Sequence, residues 1–161
     1  MSATASSMRK QAPAGAIALT ISYLEQVELG SLRAANDSAK LNAWLDEHTN
    51  NLTSTTFKCV NYGGPRKVLN IFLKEIYHNR ILCDYISAPV ISHLEIPLDN
   101  DVAAGIVADM KRTSGYRLPK WPCVKHLTPH ISSEYQMAAA EIALIEGVVR
   151  VDLDLKYWRR K

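Results

Sequence analysis

Hydrophobic and polar positions repeat with helical spacing along most of this chain. Apolar residues three or four positions apart fall on one face of an α-helix. The clearest case begins at Pro65, because a proline is well tolerated in the first helical turn, where its missing N–H is not needed. This predicted helix runs to about His78. Its apolar positions are Val68, Leu69, Phe72 and Ile76.

Two further helices are predicted before this one. Residues 17–27 carry a helical apolar pattern, and Gly30 is the expected stop because glycine often follows the last helical turn. A second apolar face follows Asn36 or Asp37, whose side chains accept backbone N–H groups at helix starts. The run 49–56 is rich in Thr, Asn and Ser, so we expect a polar turn there.

The second half of the chain predicts two more helices. Asp99 or Asn100 can cap a helix whose apolar positions continue to residue 110. Ser133 and Gln136 have the spacing of a capping box and would open the next helix. That helix would end at Gly147.

The remaining pattern favours an all-α fold. Residues 149–158 alternate as in a strand but also carry apolar positions at helical spacing, so both interpretations stay open there. Residues 1–14 lack apolar periodicity and are expected to form a disordered leader. No repeat or long linker follows, so residues 15–161 are expected to form a single compact helical domain.

Composition narrows the classes of function. The 161 residues are 47% hydrophobic and carry a net charge of +3, which permits an anionic partner without requiring one. No apolar run is long enough to span a bilayer, so no membrane partner is expected. The cysteines Cys59, Cys83 and Cys123 form no CxxC pair, which argues against a zinc or cluster site. We expect reduced thiols, a cytoplasmic location, and neither metal nor cofactor.

A lysine and an aspartate are the strongest candidates for catalysis. Lys67 follows the glycine pair Gly63-Gly64 near the start of a predicted helix, and Asp99 stands at the start of another. A glycine turn can let the backbone approach a phosphate, and a helix start points free N–H groups at it. Lys67 could act as an amine nucleophile, and Asp99 could activate it or stabilise a developing positive charge. Simple structural roles, a solvated lysine and a helix cap, account for the same residues.

Other residues indicate contacts with nucleic acid. Arg66 adjoins the glycine turn, and Lys120, Trp121 and Lys125 combine positive charge with an aromatic in a loop-rich segment. Such a combination suits a groove for a nucleic-acid backbone, although a solvated loop around a buried tryptophan has the same pattern. Asp152 and Asp154 are too isolated from other acids or histidines to predict a metal site.

Taken together, these segments resemble the helix-hairpin-helix DNA glycosylases. Those enzymes share a glycine turn leading to a lysine, and then a Pro-x-Asp loop that opens a helix. The spacing between Lys67 and Asp99 is 32 residues, which is similar to the archaeal 8-oxoguanine DNA glycosylase branch. That branch also has a terminal Leu-Asp-x-x-x-Trp element. The matching residues here are Gly63, Gly64, Lys67, Pro97, Asp99 and Val102, followed by Leu153, Asp154 and Trp158.

The resemblance implies a helix-hairpin-helix element and base excision from DNA. A damaged nucleotide would be flipped out of the duplex. Lys67 would attack the sugar C1′ with assistance from Asp99, and a Schiff base would precede strand cleavage by the lyase activity. Asp154 and Trp158 would form the base pocket, whereas Ile71 replaces an aromatic expected in the closest branch. The alternatives are a catalytically inactive DNA-binding module and a helical protein-interaction domain.

Overall fold

The fold is all-α over the part of the chain that can be described. The computed structural model describes residues 15–57 and 62–158, and it contains no strand within them. The predicted leader, residues 1–14, lies outside these ranges. Residues 58–61, which precede the glycine pair, also lie outside them, so the helix-hairpin-helix element stays a prediction.

Eight α-helices occur in the described ranges, joined by turns and short helical segments. The α-helices are α1 (Ala16–Glu25), α2 (Leu29–Ala34), α3 (Ser38–Leu52), α4 (Gly63–His78), α5 (Ala88–Ile91), α6 (Asn100–Thr113), α7 (Pro129–Glu146) and α8 (Leu153–Trp158). A π-helix (Thr53–Phe57) extends α3, and 3₁₀-helices occupy Cys83–Tyr85, Val124–His126 and Arg150–Asp152.

Several predicted helix ends are confirmed. Asp37 caps α3 by accepting the N–H of Lys40 at 2.8 Å. Asp99 caps α6 in the same manner. Gly147 ends α7 with a φ of 67°, a left-handed conformation that glycine adopts without the usual steric cost.

Three predictions of local structure are wrong. Gly30 lies inside α2 and does not end α1, which stops at Glu25. The expected polar turn at 49–56 continues as helix, and the hydroxyl groups of Thr49 and Thr53 bond back to carbonyl groups of the preceding turn. Ser133 opens no helix, since α7 begins four residues earlier at Pro129 and is capped by the side chain of Thr128.

Two large hydrophobic clusters hold most of the described helices together, and a small third cluster joins Ala16 of α1 to Val68 of α4. One cluster joins α2, α3 and the inner face of α4. The other joins α6, α7 and α8. The chain passes between them over residues 94–98, because Leu94 belongs to the first cluster and Ile96 and Leu98 to the second.

No described helix combines the length and apolar character that crossing a membrane requires.

Candidate functional site

The structure brings Lys67 and Asp99 together. Lys67 Nζ lies 3.1 Å from Asp99 Oδ2, although the residues are 32 positions apart in sequence. The two side chains are 12% and 17% exposed, so the pair is mostly covered but still reachable from solvent. The ammonium group and the carboxylate are thus in direct contact at the boundary between α4 and α6.

The cap geometry fixes the Asp99 carboxylate. Its Oδ1 accepts the backbone N–H groups of Asp101 and Val102, each at 3.0 Å. Its Oδ2 remains for Lys67. Asp99 is therefore a cap and a partner of the amine at once, because each role uses a different oxygen. A carboxylate held in this way can accept a proton from the amine without reorientation.

A second pair follows on the same helix, and the sequence analysis did not identify it. Lys74 Nζ lies 2.6 Å from Asp154 Oδ2, with side-chain exposures of 15% and 7%. Lys74 comes seven positions after Lys67, which is about two helical turns, so both lysines lie on the same side of α4. The spacing of seven positions between Lys67 and Lys74 is the sequence signal from which a second lysine on this side of α4 could have been predicted.

The two lysine–aspartate pairs form one charged cluster. Burial raises the pKa of Asp154, and the contact with Lys74 opposes this only in part. The negative charge of Asp99 raises the pKa of Asp154 further, whereas Lys67 lowers it. Asp154 therefore lies close enough to Lys67 and Asp99 for both charges to affect its pKa.

The two predicted base-pocket residues lie on the short helix α8. Asp154 is buried within the charged cluster, whereas Trp158 is 65% exposed. They are four positions apart, so both lie on one side of the helix. The structure thus places an exposed aromatic one turn beyond the buried carboxylate.

The glycine pair does not present an open backbone to solvent. Gly63 and Gly64 are buried at the start of α4. A Cβ at Gly63 would overlap the carbonyl oxygen of Val124 and lie 2.8 Å from Leu127 Cβ. Glycine is required at position 63 because α4 packs closely on the 124–127 segment. We therefore assign Gly63 a packing role, and the contact of the glycine pair with DNA phosphate stays a prediction.

The side chain of Arg66 is also buried and forms ion pairs inside the protein. It is 5% exposed, and its Nε and Nη2 bond to the two carboxylate oxygens of Glu95 at 2.8 and 2.7 Å. Its Nη1 bonds to Asp46 at 2.7 Å. Asn70 donates a further bond to Glu95 at 2.8 Å. Arg66 thus has a structural role, because its three nitrogens are held by carboxylates, and its contact with DNA stays a prediction.

These ion pairs line a polar cleft of about 360 Å³ beside Arg66. Burial lowers the pKa of the Arg66 guanidinium, but the neighbouring carboxylates outweigh this effect and the pKa is raised overall. Burial raises the pKa of Glu95, and its bonds with Arg66 and Asn70 reverse that and hold the pKa below its usual value. The charges of Arg66, Glu95 and Asp46 in this cleft therefore largely neutralise one another.

The predicted basic segment has exposed lysines and an anchored tryptophan. Lys120 and Lys125 are exposed. Trp121 is partly buried, donates from Nε1 to Asn100 Oδ1 at 2.8 Å, and meets the Tyr135 ring edge-on at a centroid distance of 5.1 Å. Trp121 thus holds its loop against the start of α6, which leaves the lysines as the better candidates for contact with an anion.

Among residues 15–57 and 62–158, no group of three or more His, Cys, Asp or Glu side chains could hold a metal ion. The charged cluster itself offers two amines, Lys67 and Lys74, and two carboxylates, Asp99 and Asp154. Comparison with protein-family models, with curated proteins and with solved structures finds no match to this chain.

Proposed function

We propose that this protein binds DNA and acts as a DNA glycosylase with lyase activity, using Lys67 as the nucleophile. The observation that carries the proposal is the 3.1 Å contact between Lys67 and Asp99. Both side chains are largely covered, and the carboxylate is held by backbone N–H groups. An amine next to a rigid proton acceptor has the arrangement that attack on a sugar carbon and Schiff-base formation require.

The path of protons follows from this geometry. Asp99 Oδ2 would accept the proton that Lys67 loses before it attacks C1′. The same carboxylate would also stabilise the positive charge that develops on the sugar. The exposed side chains of Lys120 and Lys125 would contact phosphates near the start of α4, since the Val124–His126 turn packs directly against Gly63.

The second candidate is a DNA-binding module without chemistry. The helix cap of Asp99 favours it over the lysine mechanism, because the cap and the ion pair explain Asp99 and Lys67 without chemistry. The burial of Arg66 and of the glycine pair favours the third candidate, a helical protein-interaction domain, because buried residues are not available to DNA. The three candidates differ in whether Lys67 forms a covalent bond to DNA.

Trapping with borohydride distinguishes them. Duplex DNA containing an abasic site, and a second duplex containing 8-oxoguanine, would be mixed with the protein and reduced. We expect a covalent adduct with the wild-type protein and none with Lys67→Gln. Lys40→Gln is the matched control, because Lys40 is a surface lysine whose side chain is 58% exposed, and its adduct should equal that of the wild type.

Asp99→Asn separates the catalytic role from the cap. Asparagine caps helices as well as aspartate does but carries no charge. We expect this variant to keep the helix cap, to melt at a lower temperature because Lys67 loses its charged partner, and to form the adduct at least about tenfold more slowly, a modest part of what proton transfer contributes. Equal rates for Asp99→Asn and the wild type would exclude the proposed role of Asp99. An adduct that persists in Lys67→Gln would exclude Lys67 as the nucleophile.

A further inference from the structure

The second lysine–aspartate pair has no role in the mechanism proposed above. Lys74 and Asp154 are in contact at 2.6 Å, and the Asp154 side chain is only 7% exposed. Burying a carboxylate is unfavourable unless it is paired, so Lys74 accounts for the presence of Asp154 but not for its position beside the first pair. That position places a second carboxyl group next to the amine and carboxylate that would act on the sugar.

The two carboxyl groups have different surroundings. Asp99 accepts hydrogen bonds from two backbone N–H groups and from Lys67. Asp154 has only one hydrogen-bond donor among the described side chains, Lys74, and lies deeper in the protein. Pairs of carboxyl groups in such contrasting surroundings commonly divide the roles of base and acid.

We propose that Asp154 is the general acid that protonates the departing base, and that Lys74 is the positioning residue that holds its carboxyl group. This inference rests on the proposed glycosylase function. It assigns the substrate class as an intact damaged base, since an abasic sugar has no base left to protonate. The ring of Trp158, one turn beyond Asp154, is exposed and free to stack on such a base.

The bonds and protons balance across the reaction. Asp99 first takes a proton from the Lys67 ammonium group. The neutral Nζ then forms a bond to C1′ and becomes a secondary ammonium group, while the glycosidic bond breaks with its electron pair passing to the base. The Asp154 carboxyl group gives its proton to the base. Asp154 then stands as the carboxylate, neutralised by Lys74, and the base leaves as a neutral molecule.

The charges around Asp154 predict a characteristic pH dependence. The groups that face it are Lys67 and Lys74 from α4 and Asp99 from the start of α6. Farther along α4, His78 Nε2 lies 3.1 Å from Asp152 Oδ1. The pKa of Asp154 is raised, chiefly by burial, so its acid form persists to higher pH than for an ordinary aspartate. The rate of base excision should fall as the pH rises through this pKa, which gives the pH profile a falling limb. The rate of cleavage at an abasic site should show no such limb.

The experiment compares two substrates under single-turnover conditions. Release of 8-oxoguanine and cleavage of a preformed abasic site would be followed against pH, both in duplex DNA. Asp154→Asn should slow base release by about 100-fold, the lower end of what general acid catalysis contributes. It should leave abasic-site cleavage within about threefold of the wild type, because that reaction does not use the proton.

Lys74 is tested by the position of the pH limb. Lys74→Met removes the cation that lowers the pKa of Asp154, so the falling limb should move to higher pH. Lys74→Arg keeps a cation and should move the limb back toward the wild-type position. A purely structural role would lower the rate at every pH without moving the limb, and that result would overturn the role of Lys74.

The remaining outcomes also decide whether Asp154 is the general acid. Equal losses on both substrates in Asp154→Asn would overturn the general-acid role. A wild-type protein that cleaves the abasic site but releases no 8-oxoguanine would overturn this inference and leave the lysine mechanism standing. Failure on both substrates would overturn both proposals. If Asp154→Asn does not fold, the wild-type profile decides, because base release without the falling limb would contradict the inference.

Discussion

Replacing Gly63 by alanine should destabilise the protein, although alanine is the better helix former. Gly63 is the first residue of α4 and is buried against Val124 and Leu127. The added Cβ would overlap a backbone carbonyl oxygen, which cannot rotate away as a side chain does. The start of α4 and the 124–127 segment would have to move apart.

The expected magnitude comes from two opposing terms. Overpacking of a close contact costs about 1–3 kcal/mol. The gain in helix propensity from glycine to alanine is at most about 1 kcal/mol, and less at the first turn. We expect a net loss of about 2 kcal/mol in the free energy of unfolding. For a chain of this size, that loss lowers the melting temperature by about 4–8 °C.

Gly30→Ala is the matched control. Gly30 also lies within a helix, but a Cβ built there meets no atom within 4 Å. We expect the control to leave the free energy of unfolding unchanged or raise it by up to about 1 kcal/mol. Urea denaturation followed by circular dichroism measures both variants. If Gly63→Ala is as stable as Gly30→Ala, the close-packing explanation for the glycine pair is wrong.

The remaining predictions concern the buried ion pairs and the basic segment. Arg66→Met should lower the free energy of unfolding by about 3–5 kcal/mol in urea denaturation, because it leaves Glu95 buried and unpaired, and Arg66→Met combined with Glu95→Gln should recover part of that loss. The pKa of Glu95 is held below its unfolded value, so its contribution to stability is present above the unfolded value near 4.3 and is lost as pH falls through the folded pKa. Denaturation between about pH 5 and 2 should show this loss in the wild type and a smaller one in Glu95→Gln. Lys120→Gln and Lys125→Gln should each lower the slope of the logarithm of the DNA-binding constant against the logarithm of salt concentration by about one phosphate contact. Trp121→Phe should leave that slope unchanged. Equal slopes in all three variants would refute the phosphate contacts.

The features predicted from sequence are those with local causes. Asp99 was recognised as a cap because the residues that follow it have a helical pattern, and its contact with Lys67 followed from the resemblance in spacing. The all-α class and the end of α7 at Gly147 also depend on local patterns. Ser133 was misassigned because Thr128 with Pro129 provides a competing start signal four residues earlier.

The features that the sequence could not provide depend on tertiary partners. Arg66 was expected at a DNA surface, but its position is set by Glu95 and Asp46, which come from other parts of the chain. The pairing of Lys74 with Asp154 spans 80 positions and has no local signal besides the heptad spacing from Lys67. The close packing of Gly63 depends likewise on Val124, which lies in a distant turn.

The most direct test of the central claim is to locate the covalent bond by mass spectrometry. The wild-type protein would be reduced with borohydride on abasic-site DNA, digested with nuclease and protease, and the modified peptide sequenced. The account predicts that the reduced sugar is attached to Lys67 and that Lys74 in the same helix is unmodified. Attachment to another residue, or no adduct from folded protein, would contradict it.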